Sequence, residues 1–149
     1  MRNSTPFDPV TVSLRADAST AALRAEVRSG LSADPKELSP KWLYDSRGCE
    51  LFDRITRLAE YYPTRAERSI LATRAGEIAL LSGADTLVEL GSGASDKTTL
   101  LLDAFEDVGR LERYVAFDVA EPTLRDTVAK LSVDHTDVQV LGVVGAAEL

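Results

Sequence analysis

Residues 86 to 98 read Thr-Leu-Val-Glu-Leu-Gly-Ser-Gly-Ala-Ser-Asp-Lys-Thr, an apolar strand-like run that breaks into two glycines and then restarts as a helix. A strand, a tight glycine turn and a helix in that order form a nucleotide-binding turn. Gly91 and Gly93 can take backbone conformations closed to residues with a Cβ, and they let the main chain approach a ligand. The helix that follows would direct unpaired N–H groups at that ligand. A Gly-x-Gly pair alone also fits an ordinary surface turn. Two acids narrow the reading. Glu89 stands at the carboxyl end of the strand, where open α/β sheets bind ligands. Asp118 ends the next apolar run, 27 residues after Gly91. An acid after the second strand typically holds ribose hydroxyls about 20 residues past the glycines.

The pattern downstream extends the turn into a sheet. Residues 97–108 form a helix with Leu100, Leu101, Ala104 and Phe105 inward, closed by Gly109. Residues 113–117 are a second strand. Pro122 suits a first helical turn, and the helix it begins carries Leu124, Val128 and Leu131 along one side. Residues 138–144 are a third strand. Alternating β and α elements imply a parallel sheet with right-handed crossovers.

Upstream the texture is helical. Residues 1–17 read as a flexible start with one extended stretch at 10–14. Ser19 or Thr20 can cap a helix through Arg28, with Leu23 and Val27 on one face and Gly30 ending it. Residues 31–40, with two prolines, read as loop. Residues 50–58 form a short helix with Leu51, Ile55 and Leu58 on one side. Thr64-Arg65-Ala66-Glu67 is a capping-box pattern. It would begin a long helix with Ile70, Leu71, Ile78 and Leu81 as its buried stripe and Gly83 at its end.

Composition narrows the partners. A net charge of −7 argues against a nucleic-acid surface, which wants clustered Lys and Arg. A small molecule fits better. Cys49 is the single cysteine and His135 the single histidine, so neither an internal disulfide nor a cysteine/histidine zinc set is expected. Cys49 reads as a small semi-buried residue, and His135, between Asp134 and Thr136, as solvated. No run approaches the roughly 20 apolar residues that cross a bilayer, and the first residues lack a signal-peptide core. The expected location is the cytoplasm, away from membranes.

Five of the nine aromatic residues, Trp42, Tyr44, Phe52, Tyr61 and Tyr62, fall between 41 and 62. Trp42 and Phe52 suit a small core. A tyrosine offers an apolar face and a hydroxyl that can orient a polar amine or carboxylate.

Three blocks in this region carry a resemblance: Pro40-Lys41-Trp42-Leu43-Tyr44-Asp45, Leu51-Phe52-Asp53-Arg54-Ile55-Thr56-Arg57-Leu58 and Glu60-Tyr61-Tyr62-Pro63-Thr64-Arg65-Ala66-Glu67. With Glu89-Leu90-Gly91-Ser92-Gly93 they resemble the histidine-specific Nα-methyltransferases of ergothioneine biosynthesis, over residues 18–145. The resemblance implies an S-adenosylmethionine-dependent enzyme that converts L-histidine to its trimethylated betaine, with a Rossmann-like domain and a separate substrate domain. The fold class is then α/β. A flexible start (1–17) precedes a helical segment (18–83) that contributes to the substrate site. An incomplete Rossmann-like sheet of the first three parallel strands follows (84–149).

By the same resemblance Gly91 contacts the cofactor through its backbone, Lys97 lies beside it at the helix start, and Asp118 binds the ribose hydroxyls. Tyr44 sits near the junction of cofactor and substrate, and Tyr61 lines the histidine site. Tyr62 is expected to pack, and Lys97 also fits a plain exposed helix position. Displacement at a sulfonium methyl has a good leaving group already, so positioning of the amine dominates. No catalytic side chain and no metal are assigned.

Two departures accompany the resemblance. Gly145-Ala146-Ala147 stands where the family carries Gly-Asp-Phe. That removes an acid for the adenine amine, a loss of about 1–3 kcal/mol or roughly 5- to 150-fold in affinity. The chain also stops after the third strand, whereas the family continues. The expectation is an N-terminal portion, cut short near Ala146 and inactive by itself, with residues 86–90 left as an open apolar sheet edge. Two alternatives stand beside it. One is a binding or self-associating piece that uses that edge, and the other is a methyltransferase for a different amino acid.

Overall fold

The computed structural model describes residues 7–13, 16–43, 45–93 and 97–145. Four parallel strands form one sheet among them: β1 (Val10–Val12), β2 (Thr86–Leu90), β3 (Arg113–Asp118) and β4 (Gln139–Val144), in the spatial order β1-β4-β3-β2. The helices are α1 (Ala16–Ser32), α2 (Ser46–Thr56), α3 (Pro63–Ser82), α4 (Thr99–Val108) and α5 (Glu121–Asp134), with a short 3-10 turn at Pro40–Leu43. The expected α/β class and parallel sheet are present, and β2 is indeed an edge.

The core lies on one face of the sheet. Along β3 and β4 the side chains alternate, so Tyr114, Ala116, Val140 and Val144 are buried while Val115, Leu141 and Val143 on the other face are only half-buried. Leu124, Val128 and Leu131 of α5 close over the buried face, as their spacing implies. Leu102 and Phe105 of α4 complete it. Each such side chain contributes about 1.5–3 kcal/mol on burial. Helix ends follow glycine chemistry: Gly83 and Gly109 terminate α3 and α4 in left-handed conformations, at φ 58° and 72°.

Several local expectations are corrected. The extended stretch becomes a strand rather than a flexible lead: β1 pairs with β4, Val10 opposite Gly142. The Asp8 carboxylate accepts from the Val10 N–H at 2.9 Å and from Arg125 of α5 at 3.1 Å. Leu14 lies outside the described residues. Helix α1 starts before Ser19 and runs through Gly30, whose carbonyl accepts from the Ala33 and Glu37 N–H groups.

Helix α3 starts at Pro63 with Tyr62 as its N-cap and no side-chain cap bond, so the capping box does not form. Proline suits that first position because the N–H it lacks would have had no helical partner. Glu67 pairs instead with Lys97. The α3 stripe is also displaced. Leu71, Ala75 and Ala79 face α4, whereas Ile70, Ile78 and Leu81 are exposed. In the aromatic block Phe52 is exposed and meets Tyr61 edge to face at 6.0 Å, Trp42 is half-buried, and Tyr62 is exposed rather than packed.

Candidate cofactor site

The glycine turn sits at the carboxyl ends of β2 and β3, and the chain itself holds it. Gly91 and Gly93 both have positive φ, 72° and 51°, which explains the residue type at each. The N–H groups of Gly91 and Ser92 both donate to the Phe117 carbonyl, at 2.8 and 3.1 Å. Any backbone contact from Gly91 to a ligand therefore goes through its carbonyl. Gly93 is gripped from two elements. Its N–H donates to Asp118 Oδ2 at 2.8 Å, and its carbonyl accepts from the Thr127 hydroxyl of α5 at 3.0 Å.

Asp118, the last residue of β3, also accepts from the Ala120 N–H at 2.9 Å through Oδ1. A carboxylate has about four lone-pair sites, so two remain for hydroxyl donors. Beneath the turn, Glu89 accepts from Thr98 and from the buried Tyr114 hydroxyl. Gly145, after β4, donates to the Asp118 carbonyl at 3.0 Å. A Cβ on Gly145 would lie 2.6 Å from the Phe117 ring, so only glycine lets the chain pass there without moving the ring.

Gly91 and Asp118 are thus brought close to each other, through the Phe117 carbonyl and the Gly93 N–H. The Lys97 ammonium, in contrast, is held by Glu67 of α3, and the Tyr61 ring packs on Phe52 of α2. Tyr44 lies outside the described residues, as do Ala146 and Ala147. The Cys49 thiol of α2 is pushed up from its ordinary value by burial, then by the negative charges of Asp118 and Asp45. Phe117 and Thr127 went unread in the sequence, because backbone acceptors and a lone helical threonine carry no pattern.

The opposite pole of the sheet holds a correction. His135 caps the end of α5 and is buried, not solvated, with Nδ1 2.6 Å from Glu106 of α4. Its polar sequence neighbours hide a partner 29 residues earlier. Asp103 is the third member of this group. A separate open groove of about 340 Å³ runs between α3 and α4 and includes none of the turn residues. No helix among the described residues is long and apolar enough to cross a membrane.

A parallel sheet whose β2–α4–β3 crossover opens on a glycine turn, with an acid closing β3, has the Rossmann-like arrangement, a class of fold in which ligands bind beyond the carboxyl ends of the strands. The chain belongs to the family of histidine-specific, S-adenosylmethionine-dependent methyltransferases, whose profile matches residues 23–148. It is 52% identical over 135 residues to a histidine N-alpha-methyltransferase of Mycolicibacterium smegmatis, covering 91% of this chain and 42% of that protein. A histidine N-alpha-methyltransferase of Mycobacterium tuberculosis is 52% identical over 132 residues, 89% of this chain and 41% of its own. An ergothioneine biosynthesis protein 1 of Neurospora crassa is 42% identical over 99 residues, 65% and 11% respectively. The chain therefore spans about two fifths of the length of the bacterial relatives.

Proposed function

We propose that these residues form the N-terminal part of an enzyme that methylates the α-amino nitrogen of L-histidine with S-adenosylmethionine. The observation that carries this reading is the Asp118 carboxylate beside two left-handed glycines, in a chain half identical to enzymes of that name. The donor set fits the cofactor. Asp118 has acceptor capacity left for a ribose diol, and a Cβ built on Gly91 or Gly93 meets nothing within 4 Å, so a ligand has room against the turn. S-adenosylmethionine supplies an electrophilic methyl group when bound. The residues of this chain bind and orient: Asp118 takes the ribose hydroxyls, the Gly91 carbonyl faces the ligand, and Lys97 and Tyr44 border it. Tyr61, from the helical segment of residues 18–83, lines the amino-acid side.

Calorimetry with S-adenosylhomocysteine tests the cofactor half of the reading. The expected result is one molecule bound per chain, weakened by Asp118→Ala; unchanged affinity in that variant removes Asp118 from the site. Mass spectrometry of L-histidine incubated with S-adenosylmethionine and a full-length protein that contains these residues tests the activity. Tryptophan and tyrosine serve as rival substrates, because two further relatives are named 4-dimethylallyltryptophan N-methyltransferases, at 28% and 29% identity.

A second reading rests on β2, which among the described residues pairs on one side only and whose Val88 and Leu90 are 57% and 64% exposed. Such an edge templates pairing with another chain. Self-association through residues 86–90 would give a dimer in light scattering, and a stable monomer would end that idea.

A further inference from the structure

We propose that Glu89 is a positioning residue, whose carboxylate fastens Thr98 to the sheet and thereby sets the shape of the glycine turn for its ligand. The inference rests on the cofactor-site reading above. Glu89 and Thr98 are nine residues apart, and the turn lies between them. The Thr98 hydroxyl is 2.7 and 2.6 Å from the two carboxylate oxygens, so this contact closes a ring around Gly91 and Gly93. Tyr114 of β3 donates to the same carboxylate at 2.6 Å, and both hydroxyl residues are buried, at 3% and 0% exposure.

Thr98 is the N-cap residue of α4, a position where a hydroxyl ordinarily accepts from a first-turn amide. It makes no such cap bond, and donates to Glu89 instead. The start of the helix is thus tied to β2 through a charge-assisted bond, roughly twice as strong as a neutral one. On its other side the turn is tied through Gly93 to Asp118 and Thr127. Two independent fastenings, Thr98 to Glu89 and Gly93 to Asp118 and Thr127, thus hold the main chain at Gly93 and at the start of α4. Glutamine at 89 would keep one acceptor oxygen and put a donor where the second hydroxyl now donates.

The test pairs ligand affinity with amide exchange on this chain. Glu89→Gln and Thr98→Val should each weaken S-adenosylhomocysteine binding about tenfold, the double variant should lose no more than either alone, and Thr98→Ser should restore it. Amides of residues 91–93 and 98–102 should exchange faster in both single variants, while those of β3 and β4 keep wild-type rates. Loss of affinity in Glu89→Gln with Thr98→Val at wild-type affinity would mean that Glu89 acts on the ligand directly, and overturns the proposal. So would lowered melting temperatures with affinity unchanged, the outcome of a merely structural role. If the wild-type chain binds no nucleoside, the cofactor reading fails on its own. The exchange measurement then decides, and wild-type rates at 91–93 and 98–102 in Glu89→Gln overturn the proposal.

Discussion

Replacing Asp118 with asparagine should destabilise the ligand-free protein, because this side chain already holds backbone before any ligand arrives. Its two oxygens accept from the N–H groups of Gly93 and Ala120, at 2.8 and 2.9 Å. Asparagine is nearly the same shape, yet it offers one acceptor oxygen and turns an N–H donor toward the other amide. One charge-assisted bond is lost outright. Bonds to charged groups contribute about 1.5–3 kcal/mol, and half-burial of Asp118 lets water recover part of that, leaving a loss of about 1–2 kcal/mol. For a domain of this size each kcal/mol moves the melting temperature by about 2–4 °C, so a fall of about 2–8 °C is expected by calorimetry. Asp118→Ala, which removes both acceptors, should fall further. An asparagine variant that melts with the wild type would refute the view that this carboxylate holds the turn.

Three further outcomes follow from particular contacts. The Cys49 thiol should react with a disulfide reagent more slowly than free cysteine near neutral pH, and Asp118→Asn should shift its pH–rate midpoint downward, because burial and that charge both raise it. An unmoved midpoint would detach α2 from the site. Leu124→Ala should cost about 2–5 kcal/mol in urea unfolding, since the side chain is fully buried between α5 and the sheet. Asp8 is held below the usual carboxylate value by the Val10 N–H, then by Arg125, so its stabilising effect is present above the unfolded value and is lost as pH falls through the lowered one. Asp8→Asn should therefore speed exchange of the Gly142 amide, which bonds Pro9 beside β1, at neutral pH, and match the wild type in strong acid.

The parts legible in the sequence are those fixed by neighbours in the chain. The two left-handed helix stops at Gly83 and Gly109, the glycine turn and the 124–128–131 stripe each depend on a few adjacent residues. Non-local choices were hidden. β1 exists because β4, more than 120 residues later, offers an edge. Helix α3 has two apolar faces, and size favours the one with Ile70, Ile78 and Leu81. The small Ala75 and Ala79 let α4 approach, and that contact decides which face is buried. Around the turn, the places of Gly91 and Asp118 could be read because a tight turn after a strand calls for glycine and an acid stands out at the end of an apolar run. The Phe117 carbonyl could not, since every residue has one.

On the proposed function Asp118 would serve both the turn and the ligand, which links the shape of the turn to ligand binding with a sign that can be measured. If ribose hydroxyls add to the lone pairs left after Gly93 and Ala120 are bonded, the ligand strengthens a grip that is already made. The Gly93 amide should then exchange more slowly in the presence of saturating S-adenosylhomocysteine, by the linkage that makes any ligand of the closed turn stabilise it. If the hydroxyls instead displace Gly93, the turn loosens on binding, and the Gly93 amide exchanges faster while that of Ala120 stays protected. The preorganised geometry favours the first outcome. Gly93 is also tied through its carbonyl to Thr127, so freeing its N–H would strain a turn that α5 continues to hold.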